Sequence, residues 1–239
     1  MKIPENHWLI TRPIAHRGLW GNGIIENSLE AYDNAVKNRF PIEIDLHLST
    51  DGVLYSFHDD NTLRMTGVDK DIHTLSSKEI NGLRLMGTEK HIPTFEEVLS
   101  IVDGKVPLLI EIKNQPNGKA VDLTVDRLKK YKGEFAVQSF NPIYINKVKK
   151  LAPEFIRGIL ATEKSETKKL LNNIVITRMP LNWLVKPDFI SYSYTGLPLK
   201  KRLAKKVPVI AWTLTDQKSA DKIKPYAKNI IFENFIPEN

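Results

Sequence analysis

Eight short apolar runs separated by helix-like stretches constrain what this chain can fold into more than any other feature. The runs are "IAH" (14–16), "IEIDLHL" (42–48), "PLLIEIK" (107–113), "FAVQSF" (135–140), "FIRGILA" (155–161), "DFISYSY" (188–194), "VPVIAWTL" (207–214) and "NIIFEN" (229–234). Several are rich in β-branched or aromatic residues, and all are short enough for buried parallel strands. The spacers carry helix signals. Asn27, with Glu30 three residues on, has the form of a capping box ahead of "LEAYDNAVKN", and Thr94 with Glu97 repeats it ahead of "FEEVLSIV". "KAVDLTVDRLKKY" and "PIYINKVKKL" have apolar positions at helical spacing.

Repeated strand–helix alternation predicts an α/β fold of the (β/α)8, or TIM-barrel, class. The competing arrangement is an open doubly wound parallel sheet. The length of 239 residues is close to the ~250 such a barrel typically needs, so a single domain over 1–239 is expected. One spacer breaks the rhythm. Residues 47–92, between the second strand and its helix, contain another strand-like run, "VLYSFH", and turn signals at Asp51-Gly52 and Thr66-Gly67. They read as a small inserted subdomain near one mouth of the barrel.

Composition then removes several kinds of chemistry. The chain has no cysteine, so disulfides, thiolate nucleophiles and cysteine-bound zinc are excluded. No window approaches the ~18 apolar residues of a membrane span, so integral membrane association is not expected. The N-terminus has no apolar stretch of signal-peptide length, and a cytoplasmic protein is the expectation. The net charge is +7, with lysines clustered at 164–169 and 199–206. Those clusters read as solvated helix faces, or as attraction for phosphates and weak contact with anionic membrane surfaces. No nucleic-acid motif is present, and no aromatic residues interleave with the basic ones, so no nucleic-acid partner is expected.

The candidate chemistry sits at strand ends. Glu43 and Asp45 in "EIDLH" share one side of a strand, as do Glu111 and Lys113 in "EIK". In a barrel these positions face the mouth where active sites form, so Glu43, Asp45 and Glu111 are candidates to converge on a cation. An all-oxygen ligand set favours Mg²⁺ or Ca²⁺ over zinc. The alternative is a set of solvated or salt-bridged acids, with Lys113 simply neutralising Glu111. His16 and His58 are the natural proton carriers at neutral pH. His7, His47, His73 and His91 read as hydrogen-bonded bystanders, although His47 shares a face with Glu43 and Asp45. Arg17, beside acids, suits a bound anion that accepts a fork of hydrogen bonds, such as a phosphate. Trp212 reads either as a flat pocket wall or as core packing.

The motifs "AHRG…ENS", "EIDLHLSTDG", "HDDNTLRMTG", "IPTFEEVL", "IEIK", "VQSF" and "AWTLT", in that order, resemble the glycerophosphodiester phosphodiesterase family along nearly the whole chain. The resemblance implies a TIM barrel with an insertion after the second strand. It implies hydrolysis of a glycerophosphodiester, a small-molecule substrate, to sn-glycerol 3-phosphate and an alcohol. It also implies that His16 and His58 are the catalytic acid and base, in an order the sequence does not assign. One divalent cation, Mg²⁺ or Ca²⁺, would be held by Glu43, Asp45 and Glu111. Arg17 and Lys113 would contact the phosphate, Gln138 and Trp212 would line the pocket, and Glu26 and Asn27 would organise the mouth and cap the first helix. Ser28 replaces the family's usual threonine, and "FEN" (232–234) departs from the usual ending of the last strand. Two alternatives stand beside this reading: a phospholipase D- or C-like phosphodiesterase acting on lysophospholipids or inositol lipids, and a silent barrel that binds anionic headgroups.

Overall fold

The computed structural model describes residues 3–163, 182–199 and 207–238; the lysine clusters at 164–169 and 200–206 lie outside them. Among the described residues, nine strands form one sheet: β1 (Ile14–His16), β2 (Ile42–Leu48), β3 (Leu54–Ser56), β4 (Leu108–Ile112), β5 (Phe135–Ser139), β6 (Arg157–Ala161), β7 (Phe189–Ser193), β8 (Val209–Leu214) and β9 (Asn229–Phe232). The order is β1-β9-β8-β7-β6-β5-β4-β2-β3, and β1 also pairs with β2. That extra pairing closes eight parallel strands into a barrel. The open-sheet alternative is therefore excluded. β3 lies outside the ring as the antiparallel partner of β2.

Strand alternation sorts side chains into two layers. Ile42, Ile44 and Leu46 of β2 point outward and pack with Val98 and Val102 of α5 (Phe95–Val102) and Val121 and Val125 of α6 (Lys119–Leu128). Inside the barrel, Ile14, Leu109, Ala136, Phe189, Ile210 and Ile231 form a separate cluster. Trp8 and Leu9 of the short helix α1 (Trp8–Thr11) join it and seal the end where the strands begin. Asn229 of β9 holds α1 there, its amide donating to the carbonyls of Leu9 (2.9 Å) and Arg12 (2.6 Å). Gly158 makes room for the Phe189 ring: a Cβ at residue 158 would lie 2.2 Å from it.

The helices begin where capping chemistry allows, with one correction. Thr94 and Glu97 form the expected capping box at the start of α5. The helix α2 (Leu29–Lys37) is capped by Ser28, whose hydroxyl accepts from the Ala31 N–H, and not by Asn27. Asn27 stands one residue outside, in the left-handed region at φ 51°, and its amide turns into the barrel. The alternation also ends early, because within the described residues no helix follows β9.

Between β2 and α5 the chain forms β3, then the short helices α3 (Leu63–Thr66) and α4 (Ser77–Gly82). Tyr55, Phe57, Met65, Ile72, Leu75, Ile80, Leu85 and Ile92 make a buried cluster of their own there. Among the described residues, no helix is long and apolar enough to cross a membrane.

Candidate active site

Parallel pairing carries the strand ends to one mouth in register. His16 is level with Glu43, Asp45 with Glu111, and Glu111 with Gln138. The two-residue side-chain period then aims Glu43, Asp45 and Glu111 at one point. One carboxylate oxygen from each lies within 4.8 Å of the others, and all three residues are buried. Lys113 stands behind them, its Nζ 3.1 Å from both Asp45 Oδ1 and Glu111 Oε1.

Arg17 takes an unusual backbone conformation, φ 59°, which a non-glycine residue adopts only where its surroundings enforce it. The turn aims its N–H at Glu43 Oε2 (3.3 Å), while the guanidinium reaches Glu26 Oε1 (2.7 Å) and approaches Asp45 Oδ2 (3.8 Å). Asn27 donates to Asp45 Oδ2 (3.2 Å) and accepts from the Tyr32 hydroxyl (2.8 Å). Asp45 is thus approached by Lys113, Arg17 and Asn27.

The electrostatics follow from that placement. Burial, then the charges of Asp45 and Glu111, push the Glu43 carboxyl well above its ordinary range. Burial also raises Glu111, against the opposing pull of Lys113. Asp45 goes the other way: burial alone would raise it, but Lys113, His58, Arg17 and His16 together hold it well below the carboxylate range. The ammonium of Lys113 is held charged, against burial, by Asp45 and Glu111. Three carboxylates facing two cations leave one formal negative charge in a buried space. Such an excess is costly unless a further cation joins it. The cluster of hard oxygen ligands fits a divalent ion of the Mg²⁺ or Ca²⁺ type.

The two histidines flank this centre, each held by a carboxylate. His16 donates from Nδ1 to Glu233 Oε2 at 2.6 Å, and His58 from Nδ1 to Asp59 Oδ1 at 2.7 Å. Burial lowers the His16 pKa, against the pull of Glu233. Asp59 also binds Arg64 Nε (2.6 Å), and Arg64 binds Glu26 (2.6 Å), so salt bridges run from His58 back to Arg17. His16, Arg17, Glu43, His58, Glu111, Gln138 and Trp212 line a single pocket, joined by Phe140, Leu160, Thr213 and Ile231. Asp45 and Lys113 are not among its lining residues; Lys113 holds Asp45 and Glu111 from behind. Gln138 accepts from the Ser191 hydroxyl (2.7 Å), which fixes its amide. Trp212 packs edge-on against Phe140, with ring centres 5.8 Å apart. Its buried indole N–H has no hydrogen-bond acceptor among the described residues.

Sequence reasoning missed Glu233, Asp59 and Arg64. The signal for Glu233 was present in "FEN" at the end of the last strand, because closure places β9 beside β1 with Phe232 level with Ala15.

The sequence profile of the glycerophosphoryl diester phosphodiesterase family matches residues 16–237. This chain belongs to that family. Bacillus subtilis YhdW is 29% identical over 225 residues, covering 88% of this chain and 89% of that protein. Mouse lysophospholipase D GDPD3 is 31% identical over 117 residues, 44% of this chain and 35% of the mouse protein. An Oleispira antarctica phosphodiesterase, solved in complex with the product sn-glycerol-3-phosphate, superposes with a TM-score of 0.78 at 23% identity, over 94% of this chain and 93% of that one. A Parabacteroides distasonis glycerophosphodiester phosphodiesterase gives 0.75 at 25% identity, over 93% and 92%. The barrel is thus shared over 93–94% of the chain.

Proposed function

We propose that this family member hydrolyses glycerophosphodiesters to sn-glycerol 3-phosphate and an alcohol, with His16 and His58 as proton carriers beside a cation held by Glu43, Asp45 and Glu111. The observation that carries the reading is the convergence of three carboxylates from two strands at a pocket that two of them, Glu43 and Glu111, line together with two carboxylate-anchored histidines. Membership of the family supplies the substrate class. When bound, a divalent cation there supplies positive charge to a nonbridging phosphate oxygen.

The remaining chemistry belongs to the side chains. Arg17 and Lys113 offer fixed positive charge to the anionic diester and its more crowded transition state. His16, kept neutral by burial and with Nδ1–H committed to Glu233, presents Nε2 as the base. It takes the proton of the attacking oxygen, the glycerol 2-hydroxyl in an intramolecular first step that gains from proximity. His58, oriented by Asp59, gives a proton to the departing alcohol; it then takes a proton from the water that opens the cyclic phosphate, while His16 returns its proton to the 2-oxygen. Each transfer contributes ~10²–10⁴-fold. The half-buried insertion 47–92 is assigned as a subdomain that delivers His58 to the mouth.

The test is release of glycerol 3-phosphate from several glycerophosphodiesters with Mg²⁺ or Ca²⁺. Excess chelator abolishes turnover, and His16→Ala and His58→Ala each reduce it at least ~100-fold on alkyl diesters. A nitrophenolate leaving group needs no proton, so it restores His58→Ala and not His16→Ala. Restoration of the opposite variant would reverse the assignment, and full activity of both would end it. A second reading, action on lysophospholipids, is favoured by the match to a lysophospholipase D and by the exposed Leu63, Val68 and Met86 on the insertion. Comparing glycerophosphocholine with a lysolipid separates the two.

A further inference from the structure

Next to the carboxylate centre, but not part of it, three side chains form a second cluster. His47 of β2 is fully buried, His73 lies on the insertion, and Asp60 belongs to the loop that follows His58. One ligand atom from each lies within 4.8 Å of the others. His47 Nδ1 faces His73 Nε2 at 3.0 Å, and Asp60 Oδ1 is 3.7 Å from the same His73 nitrogen.

The outer nitrogens of both rings are already committed. His47 Nε2 lies 3.3 Å from the carbonyl oxygen of His58, an atom that can only accept, so Nε2 carries the hydrogen. His73 Nδ1 lies 3.1 Å from Asp71 Oδ1, another acceptor. With hydrogens on both outer nitrogens, neither ring has one left for the 3.0 Å contact between the inner nitrogens, which is a hydrogen bond only in another tautomer of His73. Two lone pairs at that separation repel, and a cation between them removes the repulsion. A carbonyl or carboxylate behind each imidazole is the arrangement that orients histidine ligands and raises their basicity. Two nitrogens bound to one tetrahedral zinc at ~2.0–2.1 Å stand about 3.3 Å apart, so the rings need spread by only a few tenths of an ångström.

We propose that His47, His73 and Asp60 form a second metal site for a borderline transition-metal ion of the zinc class, with its remaining position open to water. Two imidazoles and one carboxylate disfavour Mg²⁺ and Ca²⁺, which seek oxygen ligands. The two centres therefore differ in chemical preference. The ion joins β2 to the 58–60 loop and to residues 72–74, three segments that set where His58 stands.

The test uses the full chain with Glu43→Gln and Glu111→Gln, which disable the carboxylate centre. Metal-stripped protein is titrated with zinc alone, and stoichiometry, metal-induced change in Tm and, with cobalt(II), the visible absorption of a four-coordinate centre are recorded. One equivalent bound, with a rise in Tm, is expected. Adding His73→Asn should weaken binding at least ~100-fold, and Asp60→Asn ~10-fold or more. Asp60 is exposed, so the second variant keeps the fold, and circular dichroism checks the first. Absence of stoichiometric zinc, or zinc binding indifferent to both changes, overturns the proposal and leaves the two rings sharing a proton.

Discussion

Glu233 meets His16 from 217 residues away in sequence, at 2.6 Å. A carboxylate in that position fixes the imidazole's tautomer and supports its protonated form, which is the direction in which Glu233 acts on His16 here. Glu233→Gln keeps the shape and removes the charge. Turnover should fall by ~10²–10⁴-fold, the scale seen when a histidine loses its orienting carboxylate. The sign of the pH effect is fixed. Glu233 raises the His16 pKa, so its loss lowers that pKa further. The acid limb of kcat/KM, where the base becomes protonated, should move to lower pH. A limb that stays in place while activity drops would assign Glu233 a purely structural part. Asn27 makes the complementary case. Its left-handed backbone and its amide on Asp45 place it among the ligand supports, so Asn27→Ala should weaken the cation affinity of the carboxylate centre, read by titration, with little effect on helix content.

At the scale of elements, the single-residue shift at the start of α2 separates two jobs that the sequence merges. Both Asn27 and Ser28 have side chains able to cap, and Glu30 three residues after Asn27 completes the expected pattern. The structure gives the cap to Ser28, because Asn27 already hydrogen-bonds Asp45 and Tyr32. Ser28→Ala should cost about 1 kcal/mol in urea unfolding while leaving metal affinity near normal, the converse of Asn27→Ala. The strands were legible because most are short and apolar with both faces buried; in β2 all seven residues are buried although apolar positions alternate with Glu43, Asp45 and His47. The capping box at Thr94 was equally legible, being wholly local. Glu233 was legible only by way of ring closure, since no neighbour in sequence sets its partner. Asp59 and Arg64 escaped for a related reason. Arg64, held by Asp59, reaches Glu26 and so ties the insertion to the barrel mouth, and no periodicity encodes that docking.

For the whole molecule, the barrel interior divides into a dry lower plug and a charged upper rim. The plug is tight. The contact of residue 158 with Phe189 leaves no room for a methyl group, since the clash is with a buried ring hemmed in on the inside of the barrel. Gly158→Ala should destabilise the fold by ~1–3 kcal/mol, read as a lower urea midpoint with unchanged slope. Residual folded protein should still turn over, because no rim residue is displaced. The rim, by contrast, concentrates like charges that the hydrophobic plug beneath cannot solvate. Stability and reactivity are thereby assigned to opposite ends of the same eight strands.

The pairing of β1 with β9 also has a temporal meaning. Within the barrel, the proposed base lies in the first strand of the ring, and the carboxylate that orients it lies just beyond the last. Until Glu233 has been synthesised, a growing chain holds the nucleophile-activating ring without its anchor. The nascent polypeptide should therefore be chemically silent toward cellular diesters, and become competent only when the ring of strands is sealed.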